Sequence, residues 1–175
     1  MKNYKQLLHK VTTFVFDYDG VLTDGTILID NDGDLLRTAN VRDGFAIRQA
    51  VKKGYRVAII SGGRTESVRN RFSVLEVHDV FLGVGDKLRV FEDYLKDKGL
   101  QAEEVLFMGD DIPDYEVMQV AGVPCCPADA AEEIKSVSVY ISQYPGGRGC
   151  ARDVIEQVMR VQNKWFDKQA FSWDV

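Results

Sequence analysis

Four short groups of residues carry side chains able to do chemistry together. They are Asp17 with Asp19, the run Ser61-Gly62-Gly63, the run Gly85-Asp86-Lys87, and Gly109-Asp110-Asp111 with Asp114 close behind. Several carboxylates brought together cannot all stay ionised without a compensating cation. Hard oxygen donors with no histidine or cysteine among them suit Mg²⁺. The Ser61 hydroxyl, the backbone N–H groups of the Gly62-Gly63 turn and the Lys87 ammonium are phosphate-binding groups. A cation, a phosphate cradle and a spare carboxylate point to phosphoryl transfer, in which an aspartate can act as nucleophile and form an aspartyl-phosphate. Each piece has a plainer reading as well. Asp-x-Asp-Gly serves as a turn, Asp111 as a helix cap ahead of Pro113, Asp114 as a partner of the helix dipole, and Lys87 as a solvated lysine. The chemical reading rests on their joint placement, which depends on the elements between them.

Those elements alternate. Val11 to Phe16 is a β-branched and aromatic run of strand length ending at Asp17. Thr26 to Asp30 and Asp34 to Thr38 flank Asn31-Asp32-Gly33, a hairpin signal. Gly44 to Lys53 has helical spacing and stops at Gly54. Tyr55 to Ile60 is a buried-strand pattern, ending at Ser61. Thr65 to Leu75 reads as helix, Asp79 to Leu82 as strand, Lys87 to Lys98 as helix closed by Gly99. Val105 to Met108 is a strand, Pro113 to Val120 a helix, Val123 to Cys125 a strand, Ala130 to Lys135 a helix, Val137 to Ile141 a strand, and Arg152 to Trp165 an amphipathic helix. The pattern predicts a doubly wound, mainly parallel, Rossmann-like α/β sheet with helices on both faces and a hairpin inserted after the first strand. In such sheets ligands bind beyond the carboxyl ends of the strands, where the four groups fall. Neither gap, from Asp19 to Ser61 or from Ser61 to Lys87, has room for a cap domain. Residues 1–165 are expected to form one domain, followed by an aromatic tail, 166–175, that frays or docks on a neighbour.

The 175 residues are 45% apolar and 28% charged, with net charge −5, which disfavours a general nucleic-acid binder. No apolar run reaches the roughly 18 residues of a membrane span, and none behind Met1 resembles a secretory signal. Cys125, Cys126 and Cys150 are an odd set without a zinc-type spacing, expected as reduced thiols in a cytoplasmic protein. His9 and His78 sit in no motif.

The four groups, in this order, resemble the motifs of the haloacid dehalogenase superfamily of phosphatases. Asp17-Tyr18-Asp19-Gly20-Val21-Leu22-Thr23-Asp24-Gly25 is similar to its first motif, Ser61-Gly62 to its second, Lys87 to its third, and Gly109-Asp110-Asp111-Ile112-Pro113-Asp114 to its fourth. The likeness covers residues 11 to 165. It implies that Asp17 attacks phosphorus and that Asp19 protonates the leaving alcohol, then activates water. It implies Mg²⁺ on the Asp17 carboxylate, the Asp19 carbonyl and Asp110, with Asp111 and Asp114 orienting the metal's waters. Ser61, Gly62 and Lys87 are implied to hold the phosphoryl oxygens. A raised pKa is expected for Asp19, which carries a proton for part of the cycle.

Asn40-Val41-Arg42-Asp43-Gly44 and the run from Tyr144 to Asp153 resemble a branch acting on phosphorylated eight- and nine-carbon 2-keto-3-deoxy sugar acids. That likeness implies a homotetramer with packed hairpins and a C-terminal segment reaching a neighbouring active site. It implies Arg152 closing that site, and Arg42 and Arg64 meeting the substrate's carboxylate or hydroxyls. The Arg42 stretch is closer to the octulosonate 8-phosphate type, which serves lipopolysaccharide sugar synthesis, than to the nononate 9-phosphate type. Three positions depart from the pattern. Gly63 replaces an Arg of the octulosonate type or a Glu of the nononate type, Asp153 replaces a Glu, and Cys150 replaces a smaller residue. Two other readings stay open: a nononate 9-phosphate phosphatase, and a phosphoacceptor receiver module, which places its acceptor Asp after a middle strand. Here the middle strand ends at Ser61.

Overall fold

A computed structural model describes residues 4–166. The expectation for the aromatic tail beyond Phe166 lies outside the described residues. The chain opens with α1 (Tyr4–Leu7) and a 3₁₀ turn, then enters β1 (Thr13–Phe16). A hairpin of β2 (Leu28–Ile29) and β3 (Leu35–Leu36) follows, then α2 (Val41–Lys52), β4 (Arg56–Ile60), α3 (Ser67–Val74) and β5 (Asp79–Phe81). The second half holds α4 (Lys87–Lys98), β6 (Val105–Met108), α5 (Tyr115–Val120), β7 (Val123–Cys126), α6 (Glu132–Val137), β8 (Tyr140–Ile141) and α7 (Cys150–Val161).

Six strands form one sheet in the order β5-β4-β1-β6-β7-β8, and every pairing in it is parallel. Successive side chains on a strand point to opposite faces. Phe14, Phe16, Val57, Ile59, Leu106 and Met108 therefore face a layer that includes α2 and α7. Val15, Ala58, Ile60, Val105 and Phe107 face α4, α5 and α6. Both faces are covered, which is why these strands read as continuous apolar runs rather than alternating ones. From β1 the chain builds outward to β4 and β5, then returns to β6 on the other side. The crevice where the winding reverses lies between the ends of β1 and β6. Hydrogen bonding continues one residue past the strands: Asp17 N–H donates to Met108 O at 3.0 Å and Ser61 N–H to Phe81 O at 2.9 Å. The residues that follow the strands are thus held by the sheet itself.

The structure shifts several boundaries. The helix expected from Gly44 begins at Val41, because the Asn40 side chain accepts hydrogen bonds from the N–H groups of Arg42 and Asp43. The helix expected from Arg152 begins at Cys150 and ends at Val161. Its cap is borrowed: the Asp43 carboxylate accepts from Gly149 N–H at 3.2 Å and Arg152 N–H at 2.8 Å. Ile112–Asp114 is a 3₁₀ turn ahead of α5. The last short helix reaches Val137, so the final strand shrinks to two residues. The hairpin strands are also only two residues each, and Leu28, Ile29, Leu35 and Leu36 are all exposed. The three cysteines are free, buried thiols, and burial raises the pKa of each. Among the described residues, no helix is long and apolar enough to cross a membrane.

Candidate active site

The ends of β1, β4 and β6 and the start of α4 surround an open cleft of about 520 Å³. Asp17, Asp19, Ser61, Gly62, Lys87, Asp110, Asp111 and Asp114 all line it. Sequence reasoning predicted these eight residues, and the fold brings them together. Asp17, directly after β1, is 6% exposed. Lys87 is the first residue of α4, with Asp86 capping that helix by accepting from Arg89 N–H at 2.9 Å. The cap fixes the helix start, and the Lys87 side chain is buried in the site, not solvated. Its Nζ lies 3.0 Å from Asp17 Oδ1 and 2.7 Å from Asp114 Oδ1.

One ligand atom from each of Asp17, Asp110 and Asp114 lies within 4.8 Å of the others. Burial pushes the Asp17 carboxyl well above the usual range; the Asp114 charge adds to this and Lys87 opposes it. Asp110 is pushed up too, by burial first and then by Asp17 and Asp114. Burial works against the Lys87 charge, yet Asp17 and Asp114 outweigh it and raise the lysine pKa. Among the described residues, Asp110 Oδ1 is buried with no hydrogen-bond partner. A buried polar atom left unpaired is costly. An anionic oxygen in that state, among clustered carboxylates, fits a hard divalent cation such as Mg²⁺. The loop accommodates this closeness: Gly20 has φ +83°, and an added Cβ would stand 2.0 Å from Asp110 Oδ2, so only glycine fits. The Thr23 hydroxyl braces the same loop by accepting from Gly20 and Gly25 N–H groups.

The two outer acids of the fourth group behave differently. Asp114 is buried and holds both Lys87 and the Asp110 backbone N–H, the latter at 3.1 Å. Asp111 is exposed and accepts from Ile112 N–H, so it caps its own turn while lining the cleft. Opposite them, the Ser61 hydroxyl accepts from Gly63 N–H at 3.1 Å, which fixes the turn beneath the cleft.

The three arginines expected to meet substrate do not line this cleft within one chain. Arg42 stands on the exposed first turn of α2 and lines a separate cleft with Arg148 and Arg152. Arg64 is exposed and packs beside Gly83. The Arg152 guanidinium lies over the rings of Phe45 and Trp165, 5.8 and 5.3 Å from their centroids, and bonds Glu156. The glycine-rich segment also makes contacts within its own chain. Gly147 O accepts from Asn40 Nδ2 at 2.9 Å, and Gly147 N–H donates to Val21 O at 2.9 Å. A Cβ on Gly146 would stand 1.9 Å from Gly20 O. Cys150 fits by donating its thiol to Val21 O. Asp153 is tied down by three donors, the hydroxyls of Tyr140 and Ser142 and the Gln157 amide.

One residue at the site escaped sequence reasoning. Arg37, just after β3, turns inward and grips Asp19 with Nε on Oδ1 at 2.5 Å and Nη2 on Oδ2 at 3.1 Å. Asp19 and Arg37 are 18 residues apart, and no local pattern links them.

Comparison with known proteins agrees with this geometry. The haloacid dehalogenase-like hydrolase family matches residues 79–152. The chain is 35% identical to the 3-deoxy-D-manno-octulosonate 8-phosphate phosphatase KdsC of Salmonella typhi over 154 residues, 88% of this chain and 82% of the relative. The crystal structure of the 3-deoxy-D-manno-octulosonate 8-phosphate phosphatase of Yersinia pestis superposes with a TM-score of 0.91 at 32% identity, covering 94% of this chain and 89% of the other. The Moraxella catarrhalis enzyme of that name, in complex with magnesium ion, phosphate ion and KDO, also superposes at 0.91, with 29% identity and coverages of 94% and 95%.

Proposed function

Because this chain belongs to the haloacid dehalogenase-like hydrolases, we propose that it is a Mg²⁺-dependent phosphatase of 3-deoxy-D-manno-octulosonate 8-phosphate. The observation that carries the chemistry is the cluster of Asp17, Asp110 and Asp114, the first and last of them bonded to one buried ammonium, with an Asp110 oxygen left without a partner among the described residues. Mg²⁺, held by the Asp17 and Asp110 carboxylates and the Asp19 carbonyl, offsets the repulsion between a carboxylate nucleophile and a phosphate dianion. Asp111 and Asp114 orient the waters around it.

Asp17 forms a bond from its carboxylate oxygen to phosphorus as the bond from phosphorus to the sugar oxygen breaks. Asp19 gives its proton to that leaving oxygen. Asp19 then takes a proton from the water that attacks the aspartyl-phosphate, which frees phosphate and restores Asp17. Ser61, the Gly62 backbone and Lys87 hold the phosphoryl oxygens. Lys87 is already oriented by Asp114, so little freedom is lost when phosphate arrives.

The test is phosphate release from octulosonate 8-phosphate and a 2-keto-3-deoxynononate 9-phosphate, side by side. The expected outcome is at least a tenfold preference in kcat/KM for the octulosonate, about 1.4 kcal/mol of differential transition-state binding. Chelation by EDTA removes the activity and added Mg²⁺ restores it. Preference for the nononate would reassign the substrate; no release from either would end the sugar-acid reading.

The proposal takes residues 1–165 as one catalytic domain of a cytoplasmic homotetramer. Support comes from the hairpin, whose Leu28 and Ile29 are 59% and 72% exposed. Contiguous exposed apolar residues mark an interaction surface. Light scattering is expected to give four chains, falling when Ile29 is changed to Lys; a monomeric parent would refute the assembly.

A further inference from the structure

The Arg37 side chain is only 7% exposed although the strand that delivers it lies open to solvent. Its hydrogen bonds run from the hairpin to the edge of the cleft. Beyond the two bonds to Asp19, Nη1 donates to Thr65 Oγ1 at 3.1 Å and to Leu35 O at 3.2 Å. The guanidinium therefore ties the hairpin to the acid of the first motif and to the loop that follows Ser61. Gly63 lies against this pair: a Cβ there would stand 3.3 Å from Asp19 Oδ2, a tight approach, and 3.6 Å from Arg37 Nη2, an ordinary contact.

This arrangement sets a condition on substrates. Both Asp19 oxygens are engaged by Arg37, and a leaving-group oxygen must reach one of them. Asp19 must also carry the proton that this oxygen takes, and a carboxyl oxygen bearing a proton is a poor acceptor for the guanidinium N–H it faces, so at least one of the two bonds weakens. A buried charge that loses its partner is penalised unless another takes its place. We propose that Arg37 is a specificity-determining residue: it exchanges the Asp19 carboxylate for the carboxylate of the incoming sugar acid. A planar guanidinium suits either carboxylate through paired bonds. A phosphate ester without a carboxylate breaks the Asp19 contact and supplies no replacement. An open cleft thereby selects by charge exchange rather than by enclosure. The inference rests on the phosphatase reading above.

The test compares the parent with Arg37→Ala and Arg37→Lys on two esters, octulosonate 8-phosphate and ribose 5-phosphate, which has no carboxylate. The quantity read is the ratio of kcat/KM values. For Arg37→Ala the ratio is expected to fall at least tenfold, through a higher KM for the sugar acid. Calorimetry is expected to show the free octulosonate binding correspondingly more weakly. Arg37→Lys keeps the charge without the fork and should retain part of the preference. An unchanged ratio overturns the inference, whether both rates fall together, as they would if Arg37 only orients Asp19, or neither moves. A parent with no preference between the esters overturns it as well. A parent inactive on both fails the phosphatase reading itself. Thermal melting identifies a misfolded Ala variant, in which case Arg37→Lys decides.

Discussion

An Asp17→Asn enzyme is expected to lose at least about a thousandfold in kcat/KM, roughly 4 kcal/mol of barrier. It is also expected to melt no lower than the parent in EDTA at pH 8. The first effect follows from chemistry: an amide oxygen carries no charge with which to attack phosphorus, and no other carboxylate stands directly after β1. The second follows from the site's electrostatics. The Asp17 and Asp110 pKa values are raised to about 7 and about 8, by burial first and then by neighbouring carboxylates. A carboxyl whose folded pKa exceeds its unfolded value of about 4 favours the folded state only while protonated. Its ionisation therefore costs stability that grows as pH rises from about 4 to about 7 for Asp17, and to about 8 for Asp110. The asparagine removes one of these charges while keeping the shape. Circular dichroism melts from pH 5 to 8 measure this directly: the parent should weaken towards pH 8 more than the variant. Normal turnover in the variant would remove Asp17 from the mechanism.

The Lys87→Met enzyme is expected to fail in the opposite sense, losing stability and activity together. The ammonium and its two partners are nearly sealed from solvent, with side-chain exposures of 6% for Lys87, 9% for Asp17 and 1% for Asp114. Removing the ammonium leaves two buried carboxylates with no cation between them, at a cost of about 3–5 kcal/mol. For a chain of this size that is a drop of roughly 6–20 °C in Tm. Saturating Mg²⁺ should recover part of the drop, because a cation beside Asp17 does part of what the ammonium did. Turnover should not recover, since the phosphoryl oxygens have lost their fixed positive partner. A variant that melts with the parent would mean that the ion triad contributes little.

The residues proposed to act on phosphate were legible as one set because each sits directly after a strand or opens a helix. Asp17, Ser61 and Gly109–Asp111 are fixed by strand ends, and Lys87 by a cap one residue away. Local patterns locate such positions even when boundaries drift. The stretch around Arg42 also carries structural contacts. Asn40 and Asp43 carry hydrogen-bonding side chains near a helix start, and both are used as caps, Asn40 for α2 and Asp43 for α7. An asparagine ahead of the α2 pattern was a signal for the first of these. Nothing local marked the second, which joins residues more than a hundred positions apart. Arg152 illustrates the same limit, its position being set by Phe45 and Trp165 from elsewhere in the chain. Arg37 was hidden twice: the hairpin register depends on two short strands, and its target lies on a different loop.

The two-residue strands of the hairpin have a consequence for how such enzymes diversify. The residues proposed to react are anchored to the ends of a six-stranded sheet buried on both faces. The arginine that meets the first-motif acid hangs from a strand pair with only Leu28–Ile29 and Leu35–Leu36 in register. A change in the length or sequence of that pair can move or replace Arg37 without disturbing Asp17, Ser61, Lys87 or Asp110. The capacity to cleave a phosphate ester and the choice of which ester to cleave are thus inherited on separate pieces of the chain, and the second can drift while the first stays fixed.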